Sequence, residues 1–325
     1  MKHLRRRLVT IPATIIVSVL LVLTLPLWLA IAVVVDLATR HFRLPTVRLF
    51  AFATYFGICE LIAMVTALVL WLASLFGHFP LIGAHSAVEA CWVRWLVRGA
   101  RPTLGVRLEL EEPLQLPSET IIFLSRHTSL PDAVLPAQVL LNIAKRPIHY
   151  VFKRELRRLP TLDIYGHRLA NYFVARGSDT DREIAGVFAL GSAAIPGSGL
   201  VIFPEGTYAT QKHRTRVESS LRAAGKLEVA DYAASLHVLL PPKPAGALAL
   251  LEAQPTAPVC IFGHTGLDGL SEKGALRNRI PLQEPVRMKI WIEDRETIEK
   301  YPTGRVGWLQ DRWSELDRWV EAETR

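Results

Sequence analysis

Charge is missing from two long stretches of this 325-residue chain. Between Leu8 and Val35 no side chain is charged, and between Leu49 and Val88 Glu60 is the single exception. Each stretch exceeds the ~20 apolar residues needed to cross a hydrocarbon core, which sets the N-terminal quarter apart from ordinary soluble sequence. Cysteine is scarce too. Cys59, Cys91 and Cys260 are scattered, with no paired spacing for zinc and no disulfide framework, as expected of a chain in a reducing compartment. There is no G-x-S-x-G elbow, so no serine nucleophile of that type is expected. Internal repeats and low-complexity segments are absent as well.

The formal net charge is +8, and residues 1–80 hold five of those eight charges around the apolar stretches. Such a distribution favours anionic lipid headgroups. A nucleic-acid binder would instead carry its excess on the soluble part, so no nucleic-acid partner is expected. The opening "MKHLRRR" resembles a signal peptide, but the apolar run after it is about twice the usual length of 7–15 residues and a second run follows. An uncleaved anchor over residues 1–80 is the reading that fits. Because both "KHLRRR" and "TRHFRLPTVR" are basic, a simple two-span hairpin conflicts with positive-inside charge placement. A break at Pro26 would permit a re-entrant hairpin with both clusters on one side. Glu60, alone in its apolar stretch, is either a functional group or a residue turned toward a neighbouring helix.

Residues 81–102 read as an amphipathic linker helix, with Trp92 and Trp95 suited to a membrane interface. After "GARP" the periodicity changes. Strand-length apolar runs appear at 120–125, 148–152, 171–175, 199–203, 237–241, 257–262 and 286–292, and helical patterns lie at 132–143, 181–194, 215–235 and 246–254. Alternation of this kind predicts an α/β fold: an N-terminal membrane-embedded two-helix segment, then a domain over residues 103–325 with a mostly parallel central sheet flanked by helices. Residues 305–323 form a closing amphipathic helix, with Leu309, Trp313, Leu316 and Val320 on one stripe.

Chemistry collects where strands end. In "FLSRHTSLPD" (123–132), His127 follows a strand and Asp132 opens a helix after Pro131. Five positions on a helix would set the two about 140° apart, so they meet only if "TSLP" turns. The carboxylate would then hold one ring nitrogen and leave the other as a general base. A strand-end histidine beside a carboxylate that favours a helix N-terminus is the plain alternative. In "VIFPEGTYAT" (201–210), Glu205 and Gly206 form a turn placed to bind polyol hydroxyls, or merely a turn. "NYFVARGS" (171–178) delivers Arg176 to a strand end, where it can take a phosphate or an ion-pair partner. The basic run 145–160 is a solvated face or a dock for an anion.

In order and spacing these pieces resemble the glycerophospholipid acyltransferase family, over about residues 120–265. "RHTSLPD" is similar to its first block, "VFKRELRRLP" to its Lys-x-x-Leu-x-x-x-Pro segment, "ANYFVAR" to its second block and "FPEGT" to its third. "HVLLPPKPAG" stands where the fourth, proline-containing block lies. The resemblance implies that His127 is the base and Asp132 its orienter. It further implies that Arg176, Glu205, Gly206, Thr207 and Lys153 bind substrate, with no metal and no cofactor. Three positions depart from the pattern. Ala170 replaces a glycine that opens the second block. Tyr208 stands where an arginine follows "FPEGT", and Pro242 intervenes before Lys243. Lys212, His213, Arg214 and Arg216 are the nearest replacement cations, unless the acceptor is not a phosphate monoester.

The function so implied is acyl transfer from acyl-CoA or acyl-carrier protein to the hydroxyl of a lysophospholipid, foremost 1-acylglycerol-3-phosphate. It would take place at a bacterial cytoplasmic membrane, with the catalytic domain facing the cytoplasm and membrane lipids as partners. The sequence does not identify the oxyanion donor; a main-chain amide near Gly206 is a candidate. A membrane-anchored thioester hydrolase and a non-catalytic lipid-binding protein are the competing readings.

Overall fold

A computed structural model describes residues 2–76, 81–129, 131–175, 180–271 and 274–324. Helices α1 (Lys2–Leu23), α2 (Leu25–Ala38), α3 (Pro45–Leu75) and α4 (Ile82–Leu104) come first. They are followed by β1 (Leu108–Leu110), β2 (Ile121–Ser125), α5 (Val134–Ala137), β3 (Ile148–Lys153), α6 (Pro160–Arg168), β4 (Tyr172–Val174), α7 (Thr180–Ser192) and β5 (Gly199–Ile202). Then come α8 (Gln211–Ala223), α9 (Leu227–Ser235), α10 (Pro244–Ala253), β6 (Val259–His264), α11 (Ala275–Arg279), β7 (Val286–Glu293), α12 (Arg295–Glu299) and α13 (Gly304–Thr324). Two compact units result. The first takes in residues 152–176 and 276–284 besides 1–107, and the second holds 108–151, 177–275 and 285–325. The units are therefore not contiguous in sequence, whereas the sequence reading divided the chain into consecutive blocks.

In the first unit α1 and α2 form one arm, interrupted at Thr24 just before Pro26, and α3 returns beside it. The contacts run in opposite order along the two arms: Ser18 against Gly57, Trp28 stacked on Phe50 at 5.5 Å, and Asp36 at the start of α3. The Asp36 carboxylate accepts from the amides of Thr46 and Val47 (2.9 and 3.1 Å), capping an otherwise unsatisfied helix start. Helix α4 runs back along α3, and Gly99 is needed there because any Cβ would lie 2.2 Å from the Tyr55 ring. Helix α6 docks at the far end through Tyr165, whose hydroxyl donates to the Ala63 carbonyl at 2.9 Å, and through Asp163, which pairs with Arg6 and Arg7. Arg48, from the second basic cluster, donates to the carbonyls of Pro102 and Thr103. Arg6 and Arg7 from one basic cluster and Arg48 from the other are thus engaged by protein, at opposite ends of the hairpin. Arg5–Leu23 and Pro45–Leu75 are long and apolar enough to cross a membrane. Leu8, Val9, Val65 and Leu75 are exposed there. Glu60 is buried beside Trp92 and Thr161, turned toward its helical neighbours.

In the second unit the sheet runs β1-β7-β6-β2-β5-β3. All its neighbouring pairs are parallel except β6 with β7. The central strands β2, β5 and β6 are buried throughout, matching their continuous apolar runs. Helix α13 buries Leu309, Trp313, Leu316 and Val320, the stripe read from the sequence, and Trp308 besides.

Other expectations change. Residues 237–241 are not a strand. The amides of His237, Val238 and Leu239 go to the Asp317 carboxylate (2.7–2.8 Å) and that of Leu240 to Glu205, so side chains take the donors a sheet ladder would need. The helical pattern 215–235 is two helices, α8 and α9, parted at Gly225 (φ +72°). Strand β1 was not foreseen.

Candidate active site

Parallel pairing of β2 with both β5 and β6 brings three strand ends to one edge. The loop after β2 carries His127 and Asp132, the loop after β5 carries Glu205 to Tyr208, and β6 ends at His264. The convergence follows from strand direction alone, and it places active-site chemistry where such sheets usually hold it.

The chain does turn between His127 and Asp132. His127 Nδ1 lies 2.8 Å from Asp132 Oδ1, and Asp132 Oδ2 accepts the amides of Thr128 (2.6 Å) and Ser129 (2.7 Å). Asp132 is fully buried, on a single turn of 3-10 helix spanning Pro131–Ala133. With a carboxylate as partner, Nδ1 is the donor, so the proton sits there and Nε2 keeps its lone pair. The imidazole is gripped between the rings of Phe203 (centroids 4.6 Å) and Tyr208 (4.5 Å, edge-on). Its orientation is fixed in two directions, by a carboxylate and by packing.

The third block holds the backbone of the same residue. Glu205 Oε1 accepts from the His127 amide at 2.8 Å, and the Ala209 amide donates to the His127 carbonyl at 3.0 Å. Glu205 Oε2 accepts from the Leu240 amide at 3.1 Å, so both of its oxygens are used by main chain. The residue is almost wholly buried, and desolvation pushes its carboxyl up to about 8, against the pull of the two amides. Its position is that of a brace between two loops rather than of an open carboxylate awaiting hydroxyls. Gly206 adopts φ +68°, a conformation glycine tolerates, and its amide donates to the Phe203 carbonyl at 3.0 Å. That amide is spent on the turn and is not an available oxyanion donor. Thr207 is half-buried in the same turn.

Lys153 is half-buried at the end of β3 and belongs to the first unit. In the same unit Arg157 stands over the Phe173 ring at 5.8 Å. Arg176 lies outside the described residues. Among the described residues no group of three or more His, Cys, Asp or Glu is placed to hold a metal ion.

Residues that sequence reasoning passed over stand behind the dyad. Arg126 is fully buried and its guanidinium is bonded to Asp268 and to the His264 carbonyl. Its place directly before His127, at the end of a buried strand, was the one available signal. Asp268 and His264 lie more than a hundred residues further on and gave none. The His264 ring is fully buried, with Nε2 3.6 Å from Asp132 Oδ2 and neither nitrogen hydrogen-bonded. Burial pushes it down to about 4, helped by the Arg126 charge and opposed by Asp132, so it is neutral at physiological pH.

Residues 106–256 match the family model described as acyltransferase. Among solved structures, the chain is similar to the 1-acyl-sn-glycerophosphate (LPA) acyltransferase PlsC from Thermotoga maritima. The two share 15% identity over 81% of this chain and 97% of that one, with a TM-score of 0.45. No curated protein matches the chain.

Proposed function

We propose, from the match of residues 106–256 to the acyltransferase family model, that the chain is a membrane-associated lysophospholipid O-acyltransferase. The acyl group comes from acyl-CoA or acyl-carrier protein, and the foremost acceptor is 1-acylglycerol-3-phosphate, giving phosphatidic acid. The observation that carries the reading is the His127–Asp132 pair, with Nδ1 held at 2.8 Å and Nε2 left as base.

In this mechanism the lyso-lipid hydroxyl approaches Nε2 and gives up its proton while its oxygen attacks the thioester carbonyl. Asp132 steadies the imidazolium that forms. Collapse of the tetrahedral intermediate breaks the C–S bond, and the imidazolium returns its proton to the departing thiolate. No covalent acyl-enzyme is needed. Cys260, in the second unit with His127, is fully buried and its thiol is pushed up to about 12 by desolvation, which removes it as a nucleophile.

The apolar lengths Arg5–Leu23 and Pro45–Leu75, with their exposed aliphatic side chains, support lipid contact; the basic clusters at opposite ends of the hairpin do not fit the re-entrant form with both on one side. Anchoring holds the enzyme on the surface where its lyso-lipid resides and raises the frequency of productive encounter. Soluble thioester donors place the catalytic residues on the cytoplasmic side.

The test uses purified full chain with acyl-labelled thioester and a panel of lyso-lipids, read by mass spectrometry. Transfer to a lyso-lipid is the expected result. Release of free fatty acid at the same rate with and without lyso-lipid would make the protein a hydrolase and end this reading.

A further inference from the structure

Every lysophospholipid acceptor carries a phosphate, and a cation beside the base is a favourable group to receive it. The arginine expected after "FPEGT" is Tyr208, whose ring lies edge-on to the imidazole instead. Of the cations nearest in sequence, Arg214 and His213 are committed elsewhere. Arg214 donates to the Val238 carbonyl and to Gln211, and His213 Nδ1 bonds the Tyr208 carbonyl at 2.9 Å. Lys212 and Arg216 are exposed on α8, a helix with no buried residue. Arg126 is turned inward to Asp268.

Lys243 is different. Its amide donates to the Pro204 carbonyl at 2.9 Å, joining it to the third-block turn three residues beyond the Leu240–Glu205 bond. Its side chain folds back across Gly206, with Nζ 3.3 Å and Cδ 3.6 Å from where a glycine Cβ would stand. The residue is exposed, so the ammonium is open to a ligand. Proline on both sides stiffens the backbone, and Pro244 disfavours helical conformation at Lys243 itself, which is extended (φ −85°, ψ 111°). Pro242, which reads as an interruption in the linear motif, helps fix this geometry. A side chain at position 206 would occupy the space the ammonium crosses.

Resting on the acyl-transfer reading above, we propose that Lys243 is the specificity-determining cation that receives the acceptor's phosphate in this chain, in place of the residue at 208. Lysine serves here as a point charge on phosphate rather than a bidentate fork.

Steady-state kinetics of the full chain in mixed micelles test this, with acyl-CoA as donor and whichever phosphate-bearing lyso-lipid the wild type consumes. Lys243→Ala and Lys243→Gln are expected to raise the acceptor KM by about 10- to 100-fold, the range of one charged contact, with kcat and donor KM unchanged. Lys243→Arg is expected to keep most of the wild-type KM. Because the side chain is exposed, folding is expected to be unaffected, and circular dichroism checks it. An unchanged acceptor KM in the alanine variant overturns the proposal. So does a rise confined to the donor KM, which would assign the ammonium to a phosphate of CoA. If the wild type acylates no lyso-lipid, the functional reading itself falls. If it does and Lys243→Ala matches it, only Lys243 falls.

Discussion

Asp132 and Glu205 are buried carboxylates on neighbouring strand ends, and each accepts two main-chain amides, yet they do different things. Both amides on Asp132 meet one oxygen, which leaves the other for His127 Nδ1. On Glu205 one amide meets each oxygen and the side chain is almost wholly buried, so neither oxygen faces a ring or open solvent. The first carboxylate sets the tautomer of the His127 ring, and the second sets where the His127 backbone stands. Geometry, rather than residue type or burial, separates an orienter from a brace.

The largest expected effect is at the base itself. His127→Ala should lower acyl transfer by at least about 10²- to 10⁴-fold, the usual worth of a general base, with an unchanged circular dichroism spectrum. Full activity in that variant would sink the assignment.

Asp132→Asn and Glu205→Gln then break the comparison in opposite senses. The asparagine carbonyl can still accept the amides of Thr128 and Ser129, but its NH₂ faces Nδ1 and forces the proton onto Nε2. The rate should fall about 10²- to 10⁴-fold, with little change in denaturation midpoint. In Glu205→Gln an NH₂ must instead oppose a backbone N–H. Stability should drop by about 1–3 kcal/mol, the cost of a buried unsatisfied donor, seen in urea unfolding, with a smaller loss of rate. Equal rate losses in the two variants would abolish the distinction.

A smaller effect comes from pH. The Glu205 carboxyl is raised from 4.5 to about 8, so its contribution to stability is complete below about 4.5 and is lost as pH rises through about 8. His264 is depressed from 6.5 to about 4, so its contribution is complete above about 6.5 and is lost as pH falls through about 4. His264→Phe should remove the acid limb of the stability–pH curve, and Glu205→Gln should flatten its alkaline side. Curves parallel to wild type in both variants would show that neither group titrates as its burial implies.

Much of the site could be read along the chain. The five-residue spacing of His127 and Asp132 required a turn if the two were to meet, and the residues between them permitted one. Glu205 stood beside a glycine at a strand end, and the mostly parallel sheet followed from alternating runs. What could not be read depends on donors and acceptors far apart in sequence. Residues 237–241 have a strand's composition, but Asp317, 78–80 positions away, takes three of their amides. Glu205 looked open to ligand because nothing local indicates that His127 and Leu240 consume its oxygens. Of the main-chain amides near Gly206 considered as oxyanion donors, that of Gly206 itself is taken by the Phe203 carbonyl.

By itself, the sequence determined the class of the domain and the two apolar helices, and it put forward His127 and Asp132 as a base with its carboxylate. Those are set by local periodicity and by short-range turns, which depend on near neighbours. Only the tertiary structure decided that Glu205 is a brace, that His264 is a neutral group behind Asp132, and that the ammonium of Lys243 lies over Gly206. Each of those depends on which side chain reaches a given backbone donor, acceptor or gap, and parallel strand pairing makes that choice by bringing distant loops to one edge.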